Sequence, residues 1–506
     1  MTSASDPVLD ELDPDDDVPG RPVTRLASYV LHDPPSASGT HAMSHEWRPP
    51  ADAVAALVDA PSFDGELCTG SACDAMAEDF GHIVHRRPLA VLRARSVDDV
   101  VAVVRFARER RLQVAPRGQG HSTFGQAQVS DGVIVDLSAL RAVHDVDRHR
   151  TTVDAGARWD DVLAVTRSSS LIPPVLPDHL GLSVGGTLSV GGISGTSFRH
   201  GAQVDHVTEL EVVTGAGELV RCTPAQAGDL FDAVLAGLGQ CGIIVRATLG
   251  LMPAPTRVRV VRLWYPDPVS MTRDQRRLVH DERFDYVLGV IAPASARSSE
   301  CYIEAATHHS PPRSPSDRLL LAGLSHIPGS ERTDDRSEEE WSGRVGERIA
   351  LQRSLGLWDH PHPWLDLLVP GSGIEDHLTE LLGAAADEDV GRLRILLYPL
   401  RSSRFQRPLL RLPDEDIVFL CDVMRTARPT PEAVARMLAR NRSLLESNRA
   451  RGGTLYPISA VELRHEEWRE HFGGHWPALL RAKHRYDPDC LLTPGPGIFP
   501  PRRTSV

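Results

Sequence analysis

A glycine-rich segment limits the fold more than any other feature of this sequence. Residues 185–195 hold five glycines in eleven positions, and a shorter segment, Gly118-Gln119-Gly120-His121-Ser122, follows a predicted strand at residues 113–115. Glycine lets backbone N–H groups approach a ligand because it has no Cβ, and consecutive N–H groups form a nest for an anion such as a pyrophosphate. Tight turns alone explain the same pattern, so both interpretations stay open. Neither segment is a P-loop or a Rossmann fingerprint, since no lysine follows and the spacing G-x-G-x-x-G fails.

Helices and strands alternate around these segments. Ser96 and Asp99 form a capping box, S-x-x-D, ahead of valines at helical spacing. Thr430 and Pro431 predict the start of a long helix that ends before Gly452. The acidic stretch from Ser330 to Glu340 is predicted to be a loop. Further predicted elements are helices at 159–165 and 229–237, a hairpin at 205–222, and strands at 243–251, 258–265, 286–291 and 393–398.

Composition excludes several classes of function. The 506 residues carry a formal net charge of −13, which argues against a nucleic acid or an anionic membrane surface as the partner. No run approaches ~18 apolar residues, so no transmembrane helix is predicted. The seven cysteines contain no CxxC pair, which predicts free thiols rather than a zinc or thioredoxin site. A basic and apolar leader is also missing, and together these features predict a cytoplasmic protein.

Two side chains next to the glycine-rich segments are candidates for chemistry. His121 lies inside the first segment, and Asp178 precedes the second. His121 is either a structural histidine or a base or covalent anchor, and Asp178 is either a turn residue or a functional carboxylate. Histidines at 465, 471 and 475 are predicted to lie at the surface, and no metal site is predicted. Lys483 is the only lysine, which excludes most lysine-dependent chemistry.

Several motifs in order resemble one enzyme family. The string GQGHSTFGQAQ at 118–128 resembles the GRGHSxxGQA motif of cytokinin dehydrogenases, and DHLGLSVGGTLSVGGISGTSFRHGAQ at 178–203 looks like the second motif of that family. These enzymes are flavoproteins of the vanillyl-alcohol-oxidase-like superfamily with a PCMH-type FAD-binding domain. The strings PHPWLDLLVPGS (361–372), LYPL (397–400), HFGGHW (471–476) and RYDPDCLLTPGPGIF (485–499) follow in the family's order. The resemblance covers residues 54–500.

The resemblance implies an α+β fold, a two-domain covalent flavoprotein. A bipartite PCMH-type FAD-binding domain would comprise residues 54–255 and a C-terminal return at 453–506. A cytokinin-dehydrogenase-like substrate domain, residues 256–452, would be inserted between them. Residues 1–53 are predicted to be a disordered acidic tail. FAD would lie extended with its pyrophosphate on the two glycine-rich segments.

The same resemblance implies the roles of individual residues. His121 resembles the histidine that is joined covalently to the flavin 8α-methyl group, and Asp178 resembles the catalytic acid/base, which also lies in the cofactor site. Leu288 stands where the family often has a glutamate that reads the purine edge, and Phe405 stands about where a tryptophan is common. Both are predicted to line the substrate site. The other implied FAD contacts are Gly118, Gln119, Gly120, Ser122, Gln126, Ser183, Ser189, Ile193, Ile244 and Tyr456.

The activity implied is oxidation of N6-alkenyl adenines of the isopentenyladenine and zeatin type. Hydride would pass to the flavin, Asp178 would take the N–H proton, and the imine would hydrolyse to adenine and an aldehyde. A quinone or oxygen would accept the electrons. An FAD-linked oxidase of an alcohol, a sugar or a secondary-metabolite amine is the alternative, because Leu288 and Gln119 depart from the family motifs. A non-enzymatic flavin-binding sensor is a third hypothesis, against which His121 and Asp178 argue.

Overall fold

The computed structural model describes residue 57 and residues 59–295, 298–383 and 393–499. The predicted tail, residues 1–53, lies outside the described residues. Strands and helices are numbered separately in chain order. The strands within these ranges are β1 Glu66–Cys68, β2 Ala90–Arg93, β3 Val114–Arg117, β4 Val133–Asp136, β5 Val143–Val146, β6 Arg150–Asp154, β7 Leu171–Ile172, β8 Val207–Val213, β9 Leu219–Cys222, β10 Ile243–Gly250, β11 Met252–Pro253, β12 Arg257–Tyr265, β13 Tyr286–Ser295, β14 Ser298–His309, β15 Arg332–Ser337, β16 Leu365–Pro370, β17 Arg394–Arg401, β18 Ile417–Met424 and β19 Thr454–Leu455.

The helices lie between and beside these strands, so the mixture of helices and sheets agrees with the predicted α+β class. Among the described residues, none of them is both long enough and apolar enough to cross a membrane. They are α1 Ser71–Met76, α2 Val97–Arg110, α3 Trp159–Thr166, α4 Val184–Val190, α5 Ser197–His200, α6 Gly228–Val234, α7 Pro268–Asp281, α8 Asp317–Leu320, α9 Glu338–Ser342, α10 Val345–Ser354, α11 Ile374–Leu382, α12 Pro431–Ala450, α13 His465–Phe472 and α14 Trp476–Tyr486.

Strands β1–β6 and β8–β10 form two sheets. The first has the strand order β1-β2-β4-β3 with β2, β4 and β3 parallel, and the second is antiparallel with the order β5-β6-β10-β8-β9. Helix α2 begins at the predicted capping box, in which Ser96 and Asp99 cap each other's backbone N–H. Val100 and Val104 of α2 share one buried cluster with Val135 of β4 and Val245 of β10. The helix therefore packs its apolar stripe between the two sheets.

A third, antiparallel sheet, called the large sheet below, has the order β15-β12-β14-β13-β17-β18-β16-β19. Helix α7 covers one face of it. The Gln275 side chain of α7 donates to the carbonyl of Leu397 (2.8 Å). The same side chain lies so close to Gly289 that a Cβ there would contact it. Because successive side chains of a strand point to opposite faces, Tyr286 and Tyr398 point away from α7. Their face of the large sheet bears the site described below.

The end of the chain returns to the first sheet. The amide of Val114 in β3 donates to the carbonyl of Leu491 (2.9 Å), and the amide of Thr493 donates back to Val114 (2.8 Å). The single lysine, Lys483 of α14, is buried nearby with its Nζ 2.7 Å from Asp487. The domain boundaries at 255/256 and 452/453 stay predictions.

Two local predictions are wrong. Residues 330–340 form no continuous loop, because Arg332–Ser337 pairs with β12 as the edge strand β15 and α9 follows at a Ser337–Glu340 capping box. An edge strand keeps one side in water, so it tolerates charged side chains that resemble a loop in the sequence. His471 is buried rather than at the surface, since α13 turns it toward Trp468 and Phe472.

Candidate active site

The first glycine-rich segment forms a loop directly after β3. Within the described part of the chain, none of the amide N–H groups of residues 118–122 donates a hydrogen bond. Gly120 has a φ of 64°, a conformation that favours glycine, and a Cβ there would lie 2.3 Å from the Arg117 guanidinium. These free N–H groups are what an anion-binding loop offers to a pyrophosphate.

Asp79 holds this loop in place. Its carboxylate accepts hydrogen bonds from Ser122 Oγ (2.9 Å) and from the amides of Gly81 (3.1 Å) and Gly125 (2.7 Å). Burial raises the pKa of Asp79 to about 6, although these donors and Arg117 oppose the rise. Asp79 escaped the sequence analysis, because nothing in its local sequence separates it from a surface aspartate.

The second glycine-rich segment is mainly a helix, and its contact with the FAD pyrophosphate stays a prediction. Residues 185–190 lie in α4, and Ser183 is its N-cap residue. Two of the segment's glycine amides have partners: Gly185 donates to Ala155 (2.8 Å), and Gly192 donates to the Tyr456 hydroxyl (3.0 Å). Its glycines allow close packing, since a Cβ at Gly185 would lie 2.8 Å from that of Ala155.

A cavity of about 1070 Å³ opens beside the 118–122 loop. Ligand pockets in proteins span roughly 300–1,000 Å³, so this one accommodates a large cofactor. Its wall combines the loop, the Asp178–Gly181 turn and one side of α10. The residues that line it and matter below are Asp79, Gln119, Gly120, His121, Asp178, His179, Arg353 and Trp358.

His121 lies in an aromatic wall of this cavity. Its ring centroid is 4.1 Å from that of Phe80, 5.1 Å from His179 and 5.8 Å from Trp358. Burial, reinforced by repulsion from His179, His362 and Arg353, lowers the pKa of His121 to about 3. No hydrogen bond of the described residues involves its ring. The imidazole is therefore neutral at pH 7 with a lone pair available.

Asp178 lies across the same cavity and is surrounded by donors. Its Oδ2 accepts from the Tyr398 hydroxyl (2.8 Å), and the Tyr286 hydroxyl lies 3.2 Å from both of its oxygens. Arg344 Nη2 donates to Oδ1 at 2.6 Å. The surroundings of this carboxylate are thus a polar cage rather than the apolar slot that a flat purine site suggests.

The two tyrosines reach Asp178 from the large sheet. Tyr286 begins β13 and Tyr398 lies in β17, and these strands are hydrogen-bonded neighbours. Burial, followed by the negative charge of Asp178, raises the pKa of both hydroxyls well above the ordinary value. Both therefore remain protonated donors across the physiological range. Their motifs, YVLG and LYPL, were visible in the sequence, but their meeting at Asp178 was not.

Arg344 is another residue of this site, besides Asp79, that the sequence did not reveal. It precedes α10 and lies close to the segment predicted to be a loop. A second cavity, of about 40 Å³, lies where Asp178, Tyr286, Trp341 and Arg344 meet. A water molecule occupies about 30 Å³ in the liquid, so this space holds no purine in the present arrangement.

The two residues predicted to line the substrate site lie in different surroundings. Leu288 is buried on β13, two residues from Tyr286, and therefore faces the same side of the large sheet. Its cross-strand partner is Glu304 of β14, which brings a carboxylate to this face, and Glu304 pairs with Arg262 (2.9 Å). Phe405 packs against the main apolar core after β17, and neither Phe405 nor Leu288 lines either described cavity.

The other predicted cofactor residues lie around the 118–122 loop and α4. Gly118 packs on Ser183, whose Oγ would be 2.1 Å from a Cβ at residue 118. Gln126 Nε2 donates to the Ser459 carbonyl (3.4 Å), and Ser189 Oγ donates to Gly185 (2.8 Å). Ile244 is buried in β10, Ile193 is half-buried, and Gln119 is exposed at the cavity.

These residues fit FAD. The unpartnered amides of 118–122 suit a pyrophosphate, the cavity has sufficient volume, and His121 offers a neutral nitrogen at its wall. No group of three or more His, Cys, Asp or Glu side chains that could hold a metal ion occurs in the described ranges.

Two protein families match parts of the chain. The family described as "FAD binding domain" matches residues 88–223, and that described as "Cytokinin dehydrogenase 1, FAD and cytokinin binding" matches residues 302–499. The first match contains His121 and Asp178, and the second contains Arg344 and Tyr398.

Similar curated proteins come from a bacterium and from rice. The chain is 40% identical over 418 residues to the "Uncharacterized oxidoreductase ORF5 in fasciation locus" of Rhodococcoides fascians, covering 82% of this chain and 95% of that protein. It is 34% identical over 495 residues to cytokinin dehydrogenase 4 of Oryza sativa subsp. japonica, covering 89% and 93% of the two chains. It is 37% identical over 485 residues to cytokinin dehydrogenase 10 of the same plant, covering 84% and 86%.

Proposed function

The chain belongs to the cytokinin dehydrogenase family of FAD-dependent oxidoreductases, and from this premise we propose that it oxidises N6-alkenyl adenines such as isopentenyladenine and zeatin. The observation that carries the proposal is the Asp178 carboxylate, held by Tyr286 and Tyr398 beside a cavity whose other wall is the 118–122 loop. This arrangement puts a hydrogen-bond acceptor next to the space that the cofactor fits.

In the proposed reaction, Asp178 accepts the hydrogen bond from the exocyclic N–H of the substrate and takes that proton as the allylic C–H bond breaks. When bound, the flavin accepts the hydride. The two tyrosine hydroxyls donate to the carboxylate and hold it in one orientation beside the cavity. The substrate is left as an imine, which water cleaves to adenine and an aldehyde.

Turnover of isopentenyladenine tests this function. Purified protein with an artificial electron acceptor should release adenine, and anaerobic addition of the substrate should bleach the flavin absorbance. Asp178→Asn keeps the size of the side chain but loses the negative charge, so kcat/KM should fall on the order of 100-fold or more while the flavin stays bound. Absence of adenine while other amines or alcohols are oxidised would sink the substrate assignment.

The covalent link between His121 and the flavin 8α-methyl group is part of the proposal. Its support is the neutral ring at the cavity wall, with no hydrogen bond to another described residue to restrain its nitrogens. A tether at this position would withdraw electron density from the flavin and keep the cofactor from dissociating.

Acid precipitation tests the link. Flavin fluorescence should stay with denatured wild-type protein and leave with the supernatant for His121→Ala. His179→Ala is the matched control, since His179 lies 5.1 Å away in the same wall and should not affect the attachment. Free flavin from the wild type would contradict the link.

An oxidase of an alcohol, a sugar or a secondary-metabolite amine is the second candidate. Leu288 on the site face favours it, because leucine gives no carboxylate for the purine edge and the neighbouring Glu304 is paired with Arg262. A substrate panel with the same electron acceptor separates the two candidates by which compound gives the higher kcat/KM.

We further propose a quinone or oxygen as electron acceptor, no nucleic-acid or membrane partner, and a cytoplasmic location. All seven cysteines are free thiols, which supports a reducing compartment. Comparing reoxidation of the reduced enzyme by air and by a soluble quinone decides between the two acceptors, and cell fractionation tests the location.

A further inference from the structure

All three nitrogens of the Arg344 guanidinium group contact groups of the site. Nη2 donates to Asp178 Oδ1 (2.6 Å) and to the Tyr286 hydroxyl (2.8 Å), and Nη1 donates to the carbonyl of Trp341 (3.1 Å). Nε lies 3.5 Å from Glu304. The group also lies 3.9 Å from the centre of the Trp341 ring and 4.9 Å from that of Tyr286.

This set of contacts determines what the arginine can do. Guanidinium carries five N–H donors in a rigid plane, and protein groups from α9, β13, β14 and the Asp178 turn already occupy its three nitrogens. Its charge is therefore directed at Asp178 rather than at an anionic ligand. Because the Tyr286 hydroxyl accepts from Arg344, its own hydrogen is left to donate to Asp178.

We propose that Arg344 is the positioning residue of the reaction: it is the fixed counterion that holds Asp178 as an oriented acceptor for the substrate N–H, both directly and through Tyr286. The inference rests on the proposed function. Arg344 acts through another residue and need not touch the substrate. Asp178 is partly buried and accepts a charge-assisted hydrogen bond from Arg344, so the orientation of the carboxylate depends on this pair.

Replacement of Arg344 separates this role from simple packing. Arg344→Ala should lower kcat on the order of 100-fold with a smaller change in KM, and Arg344→Lys should recover part of the loss because it restores the charge but not the planar fork. Arg276→Ala is the matched control. Arg276 pairs with Glu375 (2.7 Å) and lies over the Phe419 ring (5.6 Å), but it belongs to α7 on the opposite face of the large sheet. It should keep wild-type kcat.

Methylguanidinium gives a readout that a packing role would not move. Added to Arg344→Ala, it should restore a measurable part of kcat and leave Arg276→Ala unchanged. Wild-type kcat in folded Arg344→Ala, or a loss that neither lysine nor methylguanidinium restores, would overturn the proposal.

A binding measurement keeps the inference separate from the proposed substrate. By calorimetry, methylguanidinium should bind to Arg344→Ala holoenzyme, and not to the wild type or to the Arg344→Ala/Asp178→Asn double variant. This result is expected even if isopentenyladenine proves not to be a substrate, in which case only the proposed function fails. Equal binding to the single and double variants would refute the pairing with Asp178.

Discussion

At the scale of single residues, some side chains of the candidate site can be identified from the sequence and others cannot. His121 and Asp178 abut glycine-rich segments and were identified from the sequence. Arg344 and Glu304 lie more than a hundred residues further along the chain, in segments without a motif. Tertiary packing brings Arg344 to Asp178 and Glu304 to Arg344. Which charged side chains pair depends on their positions in the folded structure. Local sequence does not encode those positions.

Asp79 supports a prediction at this scale, because its pKa of about 6 lies above the ordinary value of 3.8. A raised pKa in the folded state means that its contribution to stability is fully present below pH ~4 and is lost as the pH rises through ~6. Asp79→Asn removes this titration. The free energy of unfolding of Asp79→Asn, relative to wild type, should therefore rise by ~2 kcal/mol between pH 4 and pH 7.

Urea denaturation at a series of pH values measures this difference. A gap between the two proteins that does not change with pH would contradict the raised pKa. Since Asp79 also holds Ser122 and Gly125, the constant part of the difference reports the loss of those hydrogen bonds.

At the scale of elements, the sequence predicted helix starts correctly where the N-cap residues mark them. The Ser96–Asp99 box and the Thr430–Pro431 start were both confirmed. The stretch at 330–340 was predicted wrongly because β15 is stabilised by pairing with β12, a distant partner. In the second glycine-rich segment, Gly185 lies in α4 and packs against Ala155, a use of glycine that the sequence pattern does not distinguish from a turn.

Helix α2 gives the prediction at this scale. Ser96→Ala removes one capping hydrogen bond and should destabilise the protein by about 1 kcal/mol. Asp99→Ala should cost about 3–5 kcal/mol, because its carboxylate also accepts from the amides of Asp64 (2.7 Å), Gly65 (2.9 Å) and Arg95 (2.8 Å). Chemical denaturation of both variants checks the ranking, and equal losses would show that these extra contacts contribute nothing.

At the scale of the whole molecule, residues 491–493 complete the sheet that contains β3. Leu491 and Thr493 pair with Val114, four residues before the 118–122 loop, so the loop depends on residues almost four hundred positions away. The buried Lys483 strengthens this junction by donating to the carbonyl of Gln240 (2.8 Å) as well as to Asp487.

Lys483→Met tests the junction. It leaves Asp487 as an unpaired charge in the interior, so the free energy of unfolding should fall by about 3–5 kcal/mol. The control is Arg108→Met, which breaks an exposed pair with Asp489 and should cost about 0–1 kcal/mol. Thermal and urea unfolding of both variants provide the measurement. Similar losses of unfolding free energy would show that the buried pair contributes no more than the exposed one.

The sequence by itself determined the family, the mixed α+β class, the capped helices and the two residues next to the glycine-rich segments, because each depends on neighbours within a few positions or on motifs read in order. The tertiary structure alone decided that no amide of residues 118–122 donates a hydrogen bond to another described residue, which strands adjoin, and which cation faces Asp178. These follow from burial and from hydrogen bonds between segments far apart in the chain, whose free energy depends on distance in space. The counterion at Asp178, supplied by Arg344 from a stretch without any motif, is the clearest instance.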